Sequence, residues 1–284
     1  MTETTNKTYE TYYQELFNDS FWGENYVMLN NDDNLLRNTN FNDSGFSMID
    51  IDKNISDYLT QFVKSHVYSI TNKNIDLHDY HNMLSENEHN QIIHAMPFNK
   101  TSDKSIEKLC IELENKVSSV LNEDVKIFND DLWVRICRPT HLFKNDFNPC
   151  HRDVYLDFYR NTVNIYLPIC GSNEKSSLTL QPGSHKWFES ETRTTKGGAF
   201  FKSTQKKYSV DAIVSSKTPL TMIRPNPSVR QLMIFSPYLI HGCASNDNLD
   251  ITRFSLEVRF IKNDDKGREQ ETKFNEFFKT RTWR

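Results

Sequence analysis

The chain has 284 residues and a formal net charge of -4, a length that fits one large domain, since all-β domains often exceed about 200 residues without dividing. The acidic balance, with no basic stripe, argues against nucleic acid as a main partner, because phosphate binding needs a basic surface. The 19 Phe, 12 Tyr and 4 Trp supply the apolar area for a core.

Cysteine usage and hydropathy set expectations about compartment. The five cysteines include no Cys-x-x-Cys pair, so the sequence predicts neither a zinc ribbon nor a disulfide framework, and an odd number fits a reducing compartment. The first residues show no apolar segment behind a basic start, and no run approaches the roughly 18 apolar residues of a membrane span. We therefore expect a cytoplasmic protein with no membrane partner, either a monomer or a homodimer.

Residues 1–129 are expected to form the helical part of a single 1–284 domain. Apolar and aromatic residues three and four positions apart are typical of amphipathic helices. Such spacing predicts helices over residues 8–22, from Ile55 to about Ile70, and from about Asp103 to Leu121, with a short strand at 45–49.

A polar stretch between Asp76 and Pro97 carries four histidines, at positions 78, 81, 89 and 94. Their spacing matches no zinc pattern, so a metal site is the weaker interpretation. Solvated loop histidines are a second interpretation. We favour a lid over an active site, since such a segment could exclude water from a reactive centre.

From residue 131 onward, short alternating runs separated by Pro, Gly and Asn turns indicate a closed or double-sheet β architecture. These runs cover residues 132–136, 163–167, 177–180, 220–223, 232–235 and 253–260. A long insertion at 185–217 is interpreted as a cover for the substrate. The aromatic tail within 262–284 either docks on the β core or forms a dimer contact.

The chemistry begins at His151 and Asp153. Residues two apart on an extended strand point to the same side, so an imidazole and a carboxylate can converge on one metal ion. A third ligand is offered by His241, at the end of a largely apolar run. Two histidines and one carboxylate with open positions form the facial triad of non-haem Fe(II) oxygenases.

A second feature follows His241 and Gly242, where the run from Arg253 to Phe260 alternates between apolar and polar residues. An arginine on this strand could hold a carboxylate through a bidentate, charge-assisted pair, and Ser255 would add a hydroxyl donor. Catalytic zinc would also use three protein ligands, but zinc gives no reason for Arg253 and Ser255. A protein-kinase catalytic loop is excluded because Phe158 stands where that motif needs asparagine.

These segments, together with the Pro-Gly-Ser-His-Lys turn at 182–186, resemble the iron- and 2-oxoglutarate-dependent oxygenases, and within them the phytanoyl-CoA dioxygenase-like branch. The resemblance covers residues 130–261. It implies a mostly β fold with flanking helices, in which this part is a double-stranded β-helix, or cupin-like jelly roll.

The resemblance also implies roles for individual residues. The iron ligands would be His151, Asp153 and His241. The distal carboxylate of 2-oxoglutarate would be held by Arg253 with Ser255, and the co-substrate pocket would be lined by Asn164 and Tyr166.

The implied activity is that of a dioxygenase using Fe(II), 2-oxoglutarate and O2. It would hydroxylate a small polar metabolite, such as a secondary-metabolite intermediate, a sugar or an amino-acid derivative, and release succinate and CO2. Asp153 argues against the halogenase variant, in which glycine or alanine leaves room for halide. Desaturation, ring closure and epimerisation remain open.

Substrate contacts are sought among Arg135, Arg138 and Arg224, on or beside the predicted strands, with surface solvation as the alternative for each. Cys150 and Cys243 lie near the proposed ligands in sequence, but small packed thiols are the favoured interpretation. The rival to the enzyme hypothesis is a non-catalytic or zinc-binding jelly-roll protein that binds a small molecule or glycan.

Overall fold

The computed structural model describes residues 39–101, 104–144, 146–155, 159, 161–195, 197–201 and 206–264. The helix predicted over residues 8–22 and the aromatic part of the tail lie outside the described residues. Among the helices that the structure describes, none has the length and apolar character that a membrane crossing needs.

Five α-helices and ten strands follow one another along the described chain. The helices are α1 Phe41–Ser44, α2 Lys53–Thr71, α3 Tyr80–Met83, α4 Glu86–Ala95 and α5 Lys104–Leu121. The strands are β1 Phe46–Asp50, β2 Pro97–Asn99, β3 Val125–Cys137, β4 Val163–Cys170, β5 Thr192–Thr194, β6 Ala199–Phe201, β7 Lys206–Tyr208, β8 Ile213–Ser216, β9 Gln231–Phe235 and β10 Arg253–Lys262.

The main sheet has six strands in the order β1-β9-β4-β10-β3-β2, and all of its pairings are antiparallel. β10 lies between β3 and β4, so it is fully paired. Phe254, Leu256 and Phe260 point from β10 into the main core and are almost completely buried. The predicted alternation of this strand is confirmed, and its polar residues therefore share the opposite face.

The two long helices, α2 and α5, pack against the apolar face of this sheet. α2 buries Ile55, Leu59, Val63 and Val67, which recur every four residues and form one stripe. α2 ends where Asn72 adopts a left-handed conformation, with φ of 55°. α5 likewise buries its apolar stripe against the same core. The predictions for these two helices are confirmed.

The polar stretch from Asp76 to Pro97 is more ordered than an open loop. Ser85 and Glu88 form a reciprocal capping box that begins α4. His81 and His89 are buried, the first contacting Thr252 and the second the hydroxyl of Tyr80. The interpretation of all four histidines as solvated loop residues is therefore wrong for these two.

One further expectation is corrected. Residues 177–180 and 220–223 do not form full strands and meet through a single bridge between Leu180 and Ile223. The insertion at 185–217 contains two small antiparallel sheets, β5 with β8 and β6 with β7. At 177–180 and 220–223, a single bridge provides too few hydrogen bonds between the two segments to form a regular ladder.

Candidate metal centre

His151 and His241 are held side by side by the backbone. The two residues form an isolated antiparallel bridge, in which each N–H donates to the carbonyl of the other at 2.8 and 2.9 Å. Their ring centroids lie 4.4 Å apart. Gly242 permits this approach, because its φ is +104° and a Cβ there would collide with the carbonyl oxygen of Pro149.

The hydrogen bonds of the two imidazoles define which nitrogen faces inward. The Nδ1 of His151 lies 2.6 Å from the carbonyl oxygen of Pro149, and the Nδ1 of His241 lies 2.9 Å from that of Leu239. A carbonyl only accepts, so each ring donates from Nδ1, and Nε2 is the nitrogen that can offer a lone pair. Burial, and then the neighbouring His151, lowers the pKa of His241 to about 4, which keeps that ring neutral.

Asp153 completes the group, although not from an extended strand. It begins a short 3-10 helix, Asp153–Tyr155, and its N–H donates to the carbonyl of Pro237. Its Oδ1 lies 3.4 Å from the Nε2 of His151 and 3.8 Å from the Nε2 of His241. The sequence prediction that these side chains converge is thus compatible with the structure, but the same-strand geometry behind it is wrong.

The two oxygens of Asp153 have different surroundings. Oδ2 accepts from the Nδ2 of Asn164 at 2.7 Å and from the Nε and Nη2 of Arg259 at 3.1 and 2.9 Å. Oδ1 is buried without a hydrogen-bond partner in the part of the chain that the structure describes. Burial favours the neutral acid, but Arg259 and the two histidines outweigh it and hold the pKa of Asp153 well below its usual range.

The three inward-facing atoms lie within 4.8 Å of one another and are buried. Metal bonds of about 2.0–2.2 Å place ligand atoms on the order of 3–4 Å apart, so the observed spacing fits a small cation with little adjustment. Within the described ranges this is the one such group of histidines, cysteines and carboxylates. A buried set of two Nε2 atoms and one carboxylate oxygen has the donors that Fe(II) or zinc accepts.

A cavity of about 970 Å³ lies beside this centre, and of the four predicted co-substrate residues Arg253 and Asn164 line it, whereas Ser255 and Tyr166 do not. Arg253 lines it and is buried, donating from Nη1 to the carbonyl of Ser176 and from Nη2 to the sulfur of Cys137. Its Nε, like the hydroxyl of the neighbouring Ser255, is buried and lacks a hydrogen-bond partner among the residues described. A guanidinium has five N–H donors, so donors remain for a carboxylate.

Asn164 and Tyr166 occupy different places. Asn164 lines the cavity, but its amide holds Asp153. Tyr166 does not line the cavity, and its hydroxyl contacts that of Ser172 at 2.9 Å. The guanidinium of Arg253 lies 5.9 Å from the Tyr166 ring, so this tyrosine supports the arginine.

The three arginines proposed as substrate contacts differ in whether they line the cavity. Arg135 and Arg138 line the cavity, where Arg135 pairs with Glu257 and the buried Arg138 pairs with Asp146 and Glu86. Arg224 does not line it, and its guanidinium donates to the carbonyls of Ser177 and Ser245.

The sequence interpretation missed the role of Arg259. The alternation along β10 could have indicated this residue, because Arg259 shares the polar face of the strand with Arg253 and Glu257. That pattern placed Arg259 on the correct face but gave no indication that its partner would be Asp153, 106 positions away.

No family model matches the sequence, and no curated protein matches it. Solved structures do match. The non-haem monooxygenase ThoJ, in its apo form, has a TM-score of 0.52 and 12% identity over 80% of this chain and 77% of that chain. AviO1 from Streptomyces viridochromogenes Tue57 has a TM-score of 0.50 and 14% identity over 79% and 92%.

EctD from S. alaskensis, solved with 2-oxoglutarate and 5-hydroxyectoine, has a TM-score of 0.52 and 11% identity over 87% of this chain and 80% of that chain. The fold is a jelly roll. This fold prediction is confirmed, and the structural neighbours are oxygenases of the non-haem iron and 2-oxoglutarate type. The narrower phytanoyl-CoA dioxygenase-like branch is not supported by a family model.

Proposed function

We propose that this protein is a non-haem Fe(II)- and 2-oxoglutarate-dependent dioxygenase that hydroxylates a metabolite. The observation that carries the proposal is the convergence, beside a large cavity, of two Nε2 atoms and the Oδ1 of Asp153, which has no hydrogen-bond partner among the described residues. A buried carboxylate oxygen without a donor is costly unless something binds it, and a cation is the natural ligand. The jelly-roll fold shared with ThoJ and EctD supports this choice.

The donors present fit both groups that the proposal requires. His151, Asp153 and His241 would hold Fe(II), leaving positions open for co-substrate and dioxygen. Arg253, which lines the cavity and has a buried Nε without a partner among the described residues, would hold the distal carboxylate of 2-oxoglutarate, and Ser255, which does not line the cavity, is the weaker candidate. Bound together, Fe(II) and 2-oxoglutarate supply the chemistry by which dioxygen hydroxylates a C–H bond, with succinate and CO2 as by-products.

The protein's own contribution is to orient these ligands and to exclude water. The carbonyls of Pro149 and Leu239 fix the tautomers of the two imidazoles. Arg259 and Asn164 engage only Oδ2 of Asp153, so Oδ1 is presented to the metal. Such orientation of metal ligands by their hydrogen-bond partners typically changes metal affinity about 10–100-fold.

Residues from α4 and β7 also line the cavity, and we propose that they cover the bound substrate. All five cysteines are free thiols, which supports the further proposal that the enzyme works in the reducing cytoplasm.

Anaerobic titration with Fe(II) and 2-oxoglutarate, followed by visible absorption, tests the proposed function. We expect a weak charge-transfer band in the wild type and its loss in Asp153→Ala. Arg253→Ala should need at least about tenfold more 2-oxoglutarate, because it loses a charge-assisted hydrogen bond.

Arg224→Ala is the matched control, since Arg224 does not line the cavity. Its titration should resemble that of the wild type. If the wild type gives no band and calorimetry detects no 2-oxoglutarate binding, the proposal is wrong, and a zinc-binding or non-catalytic jelly-roll protein becomes the better hypothesis.

A further inference from the structure

Asn164 has one side-chain atom that the metal centre does not use. Its Nδ2 donates to the Oδ2 of Asp153 at 2.7 Å. Its Oδ1 is buried and has no hydrogen-bond partner in the part of the chain that the structure describes. A carboxylate only accepts, so exchanging the two amide atoms would place two acceptors together, and the orientation of Asn164 is therefore fixed. Oδ1 is left as an open acceptor.

This open acceptor belongs to a residue of the cavity wall. Asn164 lines the cavity and is 3% exposed. A buried acceptor without a donor costs free energy, and native sites normally supply a partner for such a group. The side chain therefore indicates a ligand that brings its own hydrogen-bond donor.

The neighbouring Arg259 offers the complementary group, an open donor. Arg259 on β10 is paired with Asn164 on β4, so their side chains share one face of the sheet, and both line the cavity. The Nε and Nη2 of Arg259 donate to Asp153, whereas its Nη1 makes no hydrogen bond within the described ranges. An open donor therefore lies beside the open acceptor.

An aromatic ring lies on the other side of Asn164. Phe235 on β9 is paired with Asn164, and it also lines the cavity. Its ring centroid lies 5.0 Å from that of His241, one of the candidate metal ligands. Phe235, Asn164 and Arg259 thus form a row across three strands that presents an apolar ring, an acceptor and a donor beside the metal centre.

The chemistry of this row selects among ligand groups. A carboxylate, including either one of 2-oxoglutarate, accepts from Arg259 but leaves the Oδ1 of Asn164 unpaired. An ammonium group pairs with Oδ1, but it cannot accept and is repelled by the guanidinium. A hydroxyl group donates and accepts at once, so it pairs with both residues, while the carbon that carries it can pack against Phe235.

We propose that this row binds a hydroxyl group of the substrate, which donates to the Oδ1 of Asn164 and accepts from the Nη1 of Arg259. This inference rests on the proposed function for its chemistry, and it narrows the substrate class to alcohols, including polyols and sugars. Because both residues also hold Asp153, the bound hydroxyl would position the substrate next to the metal.

Benzyl alcohol and benzyl methyl ether test the proposal, because both oxygens accept a hydrogen bond but only the alcohol donates one. They are titrated by ligand-observed NMR with Zn(II) present, so that the Oδ1 of Asp153 is occupied. The wild type should bind the alcohol about three- to tenfold more tightly, the effect of one neutral hydrogen bond. Asn164→Leu should abolish this preference. Arg259→Lys should weaken both probes alike, because Nη1 donates to either oxygen.

Asn90→Leu is the matched control, because Asn90 lines the same cavity but is exposed on α4. It should keep the wild-type preference. Failure of the alcohol to bind, equal affinities for the two probes, or a preference that survives in Asn164→Leu would each overturn the inference, as would an equal loss in Asn90→Leu. Should Asn164→Leu not fold, Arg259→Lys decides, since no weakening or weakening of the alcohol alone would overturn it.

Repeating the titrations with 2-oxoglutarate and without Zn(II) separates this inference from the proposed function. An alcohol preference that depends on Asn164, in a protein that binds no 2-oxoglutarate by calorimetry, would uphold the hydroxyl site and refute the oxygenase. Binding of 2-oxoglutarate without an alcohol preference would refute the hydroxyl site alone. Displacement of benzyl alcohol by 2-oxoglutarate would assign the row to the co-substrate, and a preference lost on adding Zn(II) would assign Oδ1 to the metal or its water. Either result would overturn the inference.

Discussion

Replacing Arg259 by methionine should destabilise the metal-free protein through Asp153. The carboxylate is 1% exposed, and Arg259 supplies two of the three donors to its Oδ2. Removing one partner of a buried ion pair costs about 3–5 kcal/mol, because the remaining charge stays in a poorly solvated site. Arg259 is 24% exposed and the Asn164 bond remains, so we expect the lower end, about 3 kcal/mol.

A double-mutant cycle with Asp153→Asn isolates this term. The neutral amide no longer needs the guanidinium, so Asp153→Asn with Arg259→Met should be less destabilised than the sum of the single variants, by at least about 2 kcal/mol. Urea unfolding in the presence of a chelator, followed by tryptophan fluorescence, measures the free energy of unfolding of each variant. If the two single effects add to within about 0.5 kcal/mol, the pairing of Arg259 with Asp153 does not stabilise the fold as reasoned.

Two further substitutions test the geometry around the site. Gly242→Ala should cost about 1–3 kcal/mol and weaken metal binding, because it imposes a left-handed conformation on alanine and drives its Cβ into the Pro149 carbonyl. Burial, and then Arg138, lowers the pKa of His89 to about 4. The unfolded chain, with a pKa near 6.5, therefore binds more protons, and His89 should contribute a loss of stability of up to about 1.4 kcal/mol per pH unit from about pH 6.5 toward 4, beside a similar contribution from His241, whose pKa is also lowered to about 4. His89→Gln should flatten that dependence in urea unfolding.

Matched controls exist for both. Gly197 has a left-handed φ of +66°, but a Cβ added there would meet no described atom within 4 Å, so Gly197→Ala should show backbone strain without loss of metal binding. Equal effects at positions 242 and 197 would contradict the steric argument. His94 is exposed on the same helix as His89. If His94→Gln flattens the pH dependence as much as His89→Gln does, burial of His89 is not its cause.

Local patterns in the sequence were sufficient for the regular elements. The four-residue spacing of Ile55, Leu59 and Val63 predicted α2, and the alternation from Arg253 to Phe260 predicted both faces of β10. These predictions succeed because helix and strand periods are properties of neighbouring residues. The same local logic failed for residues 177–180 and 220–223, because pairing length depends on the partner strand.

The sequence alone predicted the candidate donor set of His151, Asp153, His241 and Arg253, because their residue types and spacing match those that the proposed chemistry needs. It did not determine which partner each polar atom would have. The tertiary structure paired Arg259 and Asn164 with Asp153, from 106 and 11 positions away, and brought Lys206 from the long insertion to the cavity wall. Such pairings depend on chain topology and on the cost of burying an unmatched charge, and neither is encoded in a local pattern.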